Sequence, residues 1–259
     1  MNLTRFLGER VRAEMETSID KRVIQLRAAS TIEEQAHQLR LSIWNQRYEL
    51  FRGQVPENPV EMLEPGVALH MLGFTVITDP DLGEMVDAGR RIQVAGLIDQ
   101  DEQLVRISPA FTFQEQRYTA GHELGHAVLH RGMSGLHRDR VVSGPSSRKD
   151  KMEVDADNFA SCFLMSARLL LNRFRLCFGV DVFRLNEDTA YGLRIPNIDA
   201  AQRRFRAPRD LALAVATTSI FMGCPFDSLA NYFRVSPTAM AIRLEEVGLI
   251  DHMSLKRSW

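Results

Sequence analysis

The sequence lacks long apolar runs. It has no stretch of about 18 uninterrupted apolar residues, and the longest candidate, LALAVATTSIFMGC from Leu211, is too short to cross a membrane. We therefore expect no membrane partner. The first residues, MNLTRFLGERVRAEMETSIDKRV, are charged throughout and lack the apolar core of a secretory signal. Their composition predicts a cytoplasmic location.

Cysteine is also scarce. Cys162, Cys177 and Cys224 are odd in number, widely spaced and set in apolar surroundings. This pattern argues against a disulfide framework and predicts buried thiols. Internal repeats and low-complexity tracts are missing as well, and 45% apolar with 25% charged residues is the composition of an ordinary globular protein.

Helix-forming and strand-forming segments follow one another in three parts. Glycine and proline are absent between Glu9 and Arg52, which predicts an N-terminal helical segment over residues 1–52. Residues 53–180 form a second domain, which combines helices with strands in FTVIT, IQVAGLID and QLVRISP. Residues 181–259 are predicted to form a C-terminal helical subdomain.

These segments predict an α+β fold. It is mainly helical, with a small, mostly antiparallel sheet of about three strands packed on the helix that contains GHELGHAVLH. The basic stretch after Gly132 is expected to be a loop, and the chain from Met152 through LLLNRFRL is expected to be helical.

The stretch YTAGHELGHAVLH contains two histidines four residues apart, with a glutamate after the first. In an α-helix the side chains of His122 and His126 lie within about 40° of each other, so they can share one metal ion. Glu123 is turned about 100° from His122, near enough to act on a water molecule at the metal. This is the H-E-x-x-H arrangement of metallopeptidases, but a chance match has odds of about one in a hundred in such a chain, so a third ligand is needed.

His130 is the nearest candidate for that ligand. It lies eight residues after His122, or about 12 Å along an unbroken helix, which is too far for a shared metal ion. We expect it to pack or to hydrogen-bond at the helix end. Val128 and Gly132 stand where the metzincin pattern requires glycine and histidine, so that class is excluded.

The segment KMEVDADNFASCFLM offers better candidates. Glu153 and Asp157 are four residues apart on one helix face, so one carboxylate can bind metal while the other supports the site. Asp157 is well placed to hydrogen-bond the far nitrogen of a ligating imidazole. Asp155 is turned about 200° from Glu153 and is the weaker choice. The alternative is that these acids form only a solvated helix face.

RYTAGHELGHAVLH and EVDADNFASCFLM together resemble the ImmA/IrrE family of metallopeptidases. The family's typical pattern is R-F-T-x-x-H-E-x-x-H-x-x-x-H, followed by E-x-E-A-N-x-F-A-x-x-L-L-M-P. The resemblance spans about Pro56 to Ala167. Asp155 and Asp157 stand where the family has glutamate and asparagine, and Ser166 with Ala167 replaces the usual proline.

The resemblance implies a zinc peptidase in which His122, His126 and Glu153 bind zinc and Glu123 is the general base. It also implies the substrate, a small helix-turn-helix repressor. In this family such cleavage commonly responds to DNA damage or controls mobile elements and antiphage functions. Specificity depends on loops, so the repressor is a hypothesis by analogy.

Two basic stretches suggest a nucleic-acid partner. One lies between the two halves of the metal site, and the other, RRFRAPR, has an aromatic residue among its arginines. Arginine beside an aromatic ring can hold phosphate and stack on a base, so single-stranded nucleic acid is a candidate activator. The alternative is a solvated loop and helix face. The candidate contacts are Arg138, Arg140, Arg148, Lys149, Lys151, Arg203, Arg204, Arg206 and Arg209.

The segment LANYFRVSPTAMAIRL has the spacing of a helix-turn-helix unit, with Ser236 able to cap its second helix. That second helix is poor in base-reading residues and ends in acids, which favours packing or partner docking over DNA binding. The non-enzymatic alternative for the whole chain is a DNA-binding regulatory protein. In that case zinc is structural and the C-terminal helical unit binds nucleic acid.

Overall fold

The computed structural model describes residues 31–87, 90–131, 136–138 and 151–251. The chain divides into two compact units, one ending at Leu164 and the other beginning at Met165. This division does not test the predicted domain boundaries after residues 52 and 180, which stay predictions. In the part of the chain that the structure describes, no helix is long and apolar enough to cross a membrane.

The first unit begins with helices α1 (Ile32–Asn45) and α2 (Arg47–Leu50). The Thr31 hydroxyl accepts a hydrogen bond from the Glu34 backbone, and the Glu34 carboxylate accepts one from the Thr31 backbone. This reciprocal cap satisfies donors that a helix leaves open at its start. The helical prediction is confirmed from Ile32 to Leu50, and its part over residues 1–30 lies outside the described residues.

Two short helical segments lead to the sheet. The Asn58 side chain accepts a hydrogen bond from the Val60 backbone at 3.0 Å and caps a 3₁₀ helix over Pro59–Met62. Helix α3 (Pro65–Met71) then begins at a proline. Proline has no backbone N–H, but an N–H in the first helical turn has no acceptor within the helix, so no hydrogen bond is lost. The 3₁₀ helix ends at Met62 and α3 begins at Pro65, so they are two separate helical segments.

The main sheet has four strands in the order β1–β5–β4–β6. Strand β1 pairs with β5 in parallel, whereas β4 pairs with both β5 and β6 in antiparallel fashion. Strands β2 and β3 form a separate antiparallel hairpin. The six strands are β1 (Thr75–Thr78), β2 (Glu84–Asp87), β3 (Arg90–Gln93), β4 (Gly96–Asp99), β5 (Leu104–Ile107) and β6 (Leu136–Arg138).

The α+β prediction is confirmed, and the sheet differs from it in two details. It has one strand more than expected, because β6 comes from the stretch after Gly132 that was predicted to be a loop and pairs with the edge of β4. The segment IQVAGLID, predicted as one strand, is divided between β3 and β4. Both differences arise from pairing with partners that a local pattern does not specify.

Helix α4 (Phe113–Leu129) lies against the sheet and against helix α5 (Lys151–Leu164). Thr112 and Glu115 cap its start reciprocally. Every residue from Thr119 to Val128 is buried. Because strands β4 and β5 and helix α5 all contact α4, its polar residues are enclosed along with its apolar ones.

Arg117 fastens α4 to the chain just before α3. Its side chain is buried, and its Nη2 donates to the Leu63 carbonyl at 2.6 Å while its Nε donates to Glu64 Oε2 at 3.2 Å. The Glu64 carboxylate is 35% exposed, so the ion pair itself contributes little. The buried hydrogen bond to the Leu63 carbonyl is the stronger contact, because losing it would leave a buried acceptor without its donor.

Replacing Arg117 by leucine is therefore expected to lower the free energy of unfolding by about 2 kcal/mol. Urea unfolding followed by circular dichroism measures this free energy of unfolding. Arg117→Lys keeps the charge but cannot reach both acceptors, so it should recover only part of the loss. If the leucine variant is as stable as the wild type, the buried hydrogen bond has no net stabilising effect.

The second unit is mainly helical, with short two-residue strands. Its elements are α6 (Ala167–Phe178), β7 (Phe183–Arg184), α7 (Glu187–Gly192), α8 (Ile198–Arg204), α9 (Pro208–Thr217), β8 (Ile220–Phe221), β9 (Cys224–Pro225), α10 (Leu229–Tyr232), α11 (Pro237–Glu246) and β10 (Ile250–Asp251). Phe178 contacts Phe183, Phe221 and Phe226 edge to face at centroid distances of 5.2 to 5.6 Å. This aromatic cluster holds α6 against the segments that follow it.

Helices α10 and α11 form the predicted helix-turn-helix-like unit. The Ser236 hydroxyl accepts a hydrogen bond from the Ala239 backbone at 3.2 Å, so the predicted cap is present. Arg243 is the one basic residue of α11; it is buried and donates to the Met165 carbonyl at 3.0 Å. A buried guanidinium cannot reach a base edge, which supports a packing role for this helix.

The cysteines differ in exposure. Cys162 and Cys177 are buried, but Cys224 is exposed, so the prediction of buried thiols is wrong for Cys224. It begins β9, a strand of two exposed residues that pairs with β8. Burial raises the pKa of the Cys177 thiol. The thiolate is the reactive form of cysteine. Cys177 should therefore react slowly, because its thiol is buried and its raised pKa keeps it protonated.

We expect one thiol of the folded protein to react promptly with an aromatic disulfide reagent at about pH 8. Cys224→Ser should remove that fast reaction, while Cys162 and Cys177 should react only after denaturant is added. The reaction rate is measured from the absorbance of the aromatic thiolate that the reagent releases. A fast reaction that persists in Cys224→Ser would contradict the burial of the other two thiols.

Candidate metal centre

Helices α4 and α5 bring the three predicted ligands together. The Nε2 atoms of His122 and His126, one helical turn apart on α4, are 3.0 Å from each other. Glu153, in the first turn of α5, places Oε2 at 3.4 Å from the former nitrogen and Oε1 at 3.6 Å from the latter. One ligand atom from each residue lies within 4.8 Å of the others, an arrangement that could hold a metal ion.

Asp157 supports this cluster from the next turn of α5. Its Oδ1 lies 2.9 Å from His122 Nδ1. With the proton on Nδ1 donated to the carboxylate, His122 Nε2 has a lone pair directed at Glu153 and His126. Asp157 thus occupies the supporting place that its spacing from Glu153 predicts.

The charge state of Glu153 also suits a ligand. Burial acts most strongly on its pKa and raises it, but the hydrogen bond with His122 and the charges of His122 and His126 outweigh that effect. The pKa of Glu153 therefore lies below its ordinary value, despite a smaller opposing effect of Asp157. An ionised carboxylate and two imidazoles are donors that suit divalent transition-metal ions, so the residues present fit such an ion.

Glu123 is completely buried between the helix and the sheet. A Cβ atom added at Gly96, the first residue of β4, would lie 2.8 Å from Glu123 Oε1 and 2.4 Å from Thr119 Cγ2. Strand β4 can approach the carboxylate this closely because residue 96 has no side chain. Glu123 follows His122 directly in sequence, so the same turn of α4 provides a metal ligand and a buried carboxylate.

Two further residues, which were not predicted from the sequence, hold the site together. The Gln100 amide, in the turn between β4 and β5, donates to the His126 carbonyl at 3.1 Å. The Tyr118 hydroxyl donates to the Asp157 carbonyl at 3.3 Å and lies 3.1 Å from Ser161 Oγ. Tyr118 is one turn before His122, so helical spacing could have indicated it; Gln100 has no local signal.

The predicted nucleic-acid contacts are spread over several elements. Arg138 lies in β6, Lys151 is exposed at the start of α5, and Arg203, Arg204 and Arg206 are exposed. Arg140, Arg148 and Lys149 lie outside the described residues.

Two features limit the RRFRAPR segment as a base-stacking surface. Phe205 is only 3% exposed, so its ring cannot stack on a base. Arg209 makes two parallel hydrogen bonds to the Glu245 carboxylate, at 2.9 and 2.5 Å, which raise the pKa of its guanidinium. This guanidinium therefore joins α9 to α11.

Comparison with protein-family models identifies a family for this chain. The family model of Peptidase_M78, described as the IrrE N-terminal-like domain, matches residues 74–245. This match covers more than half of the chain and includes α4 and α5 with all the residues of the candidate metal centre. A search of curated proteins finds no match.

Proposed function

Because this chain belongs to the Peptidase_M78 family of IrrE N-terminal-like domains, we propose that it is a zinc-dependent endopeptidase. The observation that carries this proposal is the convergence of His122, His126 and Glu153 within 4.8 Å, with the buried Glu123 directly after His122 in the chain. Two imidazoles and one carboxylate form a ligand set of hydrolytic zinc sites, which keep a further position for water or substrate.

Each residue then has a defined task in peptide hydrolysis. A bound zinc ion would supply Lewis acidity, which polarises the peptide carbonyl and acidifies a nearby water molecule. Glu123 accepts a proton from the attacking water as the oxygen bonds to the carbonyl carbon. When the C–N bond breaks, Glu123 donates that proton to the leaving amine. Asp157 keeps His122 in the tautomer that leaves Nε2 unprotonated.

For the substrate we propose a small helix-turn-helix transcriptional repressor. Cleavage would relieve repression of an operon for stress, DNA-damage or antiphage and mobile-element functions. This step is supported by the family resemblance of the sequence, and the specificity itself depends on loops outside the metal centre.

Incubation with the repressor encoded beside this chain tests the proposal. The repressor is mixed with the full chain, with added zinc or with a chelator, and the products are identified by mass spectrometry. We expect internal cleavage that requires zinc and is absent when Glu123 is replaced by glutamine. A repressor that stays intact under all of these conditions contradicts this substrate. Cleavage that persists in the glutamine variant contradicts the role of Glu123.

We also propose that single-stranded nucleic acid activates the peptidase. The exposed arginines Arg203, Arg204 and Arg206 support phosphate contacts, while the burial of Phe205 makes the contact ionic and not one of stacking. Activation by an oligonucleotide should then weaken steeply with added salt and decrease when these arginines are replaced by alanine. Proteolysis that is indifferent to both oligonucleotide and salt contradicts this proposal.

The non-enzymatic alternative is a DNA-binding protein with structural zinc. Helix α11 gives it little support, since Arg243 is buried and the exposed residues at its start are Pro237 and Thr238. Glu123→Gln separates the two functions, because it should stop cleavage and leave a structural metal site intact. Regulation in the cell that survives this change would favour the alternative.

A further inference from the structure

The end of helix α4 places a third histidine beside the metal centre. His130 is the residue at which the helix stops, with φ −116° and ψ 20°, and its backbone N–H donates to the His126 carbonyl at 3.0 Å. Its ring centroid lies 5.1 Å from that of His126, with 49° between the ring planes. In this position His130 Nδ1 is 3.0 Å from His126 Nδ1.

This contact defines which nitrogen holds the proton on each ring. His126 Nε2 faces His122 Nε2 and the Glu153 carboxylate, so it must be unprotonated to bind a metal ion. Its proton then resides on Nδ1 and is donated to His130, whose Nδ1 must be the acceptor. The remaining proton of His130 is on its Nε2.

We propose that His130 is a positioning residue of the metal centre, which fixes the tautomer and the ring orientation of the ligand His126. The inference rests on the proposed metal site and adds a residue to it. His130 does for His126 what Asp157 does for His122, since each accepts the hydrogen bond of the ligand's far nitrogen.

The two supports differ in charge. Asp157 offers a carboxylate, whereas His130 offers a neutral ring nitrogen, so His130 orients its ligand without adding negative charge. The backbone of His126 is held as well, because its carbonyl accepts hydrogen bonds from Gln100 Nε2 at 3.1 Å and from the His130 backbone at 3.0 Å. The His130 side chain contacts the ring of His126 at Nδ1, on the side away from the other ligands.

Replacement of His130 tests the proposal through metal binding, measured on the full chain without any substrate. We expect His130→Ala to bind zinc about 10- to 100-fold more weakly in competition with a chromophoric chelator, and to change the visible spectrum of the cobalt-loaded protein. His130→Asn should restore much of the affinity, because its Oδ1 takes a place close to that of Nδ1. His130→Gln places its acceptor further out and should not. His37→Ala, at an exposed histidine of α1, is the matched control and should match the wild type.

The outcomes separate this inference from the proposed function. If the wild type binds neither zinc nor cobalt, the proposed function fails. If the wild type binds zinc and all three His130 variants bind it equally well with unchanged cobalt spectra, the inference is wrong and His130 only ends the helix. Should His130→Ala fail to fold, the comparison of asparagine with glutamine decides, and equal affinity of those two variants overturns the proposal.

Discussion

Replacing Glu123 by glutamine is expected to remove peptide hydrolysis while zinc stays bound. The amide has nearly the same shape as the carboxylate but cannot accept a proton from water. General base catalysis of this kind contributes about 10²- to 10⁴-fold, so kcat should fall by that factor. The three ligands are unchanged, and glutamine fits the space below Gly96 that the carboxylate now fills.

This expectation requires two measurements on the same sample. Cleavage of the repressor, or of a peptide containing its cleavage site, gives kcat, and competition with a chelator gives the zinc affinity. Glu102→Gln, at an exposed acid in the turn between β4 and β5, is the control and should leave both values unchanged. A Glu123→Gln enzyme that retains kcat within about tenfold of the wild type would rule out Glu123 as the general base.

Replacing Gly125 by alanine is expected to cause the largest loss of stability and of metal affinity together. A Cβ atom at this position would lie 2.9 Å from both the Cα and the carbonyl oxygen of Ala156, which belong to the backbone of α5. Backbone cannot move aside as a flexible side chain can, so α4 and α5 must separate. We expect the free energy of unfolding to fall by about 3 kcal/mol, as for overpacked cores.

The same separation reaches the metal centre. Gly125 precedes His126 on α4, and Ala156 lies three residues after Glu153 on α5, so a wider gap moves Glu153 away from both histidines. Zinc should therefore bind about 10- to 100-fold more weakly, the range found when a metal site loses its supporting contacts. Chemical denaturation and chelator competition measure the two effects.

Gly121 provides a matched control on the same helix. A Cβ atom added there would meet the Leu164 and Ala160 side chains at 3.2 and 3.4 Å, and no backbone atom so closely. Alanine also favours a helix over glycine by about 1 kcal/mol, so Gly121→Ala should be nearly neutral. If Gly125→Ala is as stable as Gly121→Ala and binds zinc equally well, the close contact between α4 and α5 does not determine the metal geometry.

Much of the metal centre could be predicted because its residues repeat with the period of a helix. His122 with His126, and Glu153 with Asp157, are pairs four residues apart, and such pairs lie side by side on any helix. Even the pairing of Asp157 with an imidazole follows from this period, once the two helices face each other. The period of a helix does not specify how two helices meet.

His130 shows this limit as well. Its spacing from His126 brings the two rings side by side, but the helix ends at Leu129, and spacing alone does not give the angle at which the rings meet. The exact end of a helix depends on capping and on the chain that follows, which residue spacing alone does not reveal. Gln100 reaches the same histidine from a turn distant in sequence.

Local sequence patterns were enough to predict the α+β class, the two helices of the candidate metal centre and the residues on them that could hold a metal ion. These features depend on local periodicity, which each segment has whether or not it is packed. Four other features could not be predicted in this way: β6 pairs with β4, Gly125 lies against Ala156, Phe205 is buried and Cys224 is exposed. Each of these features depends on whether a residue contacts segments that are distant in sequence. Such contacts contribute free energy only when the helices and strands pack together, so a local pattern does not reveal them.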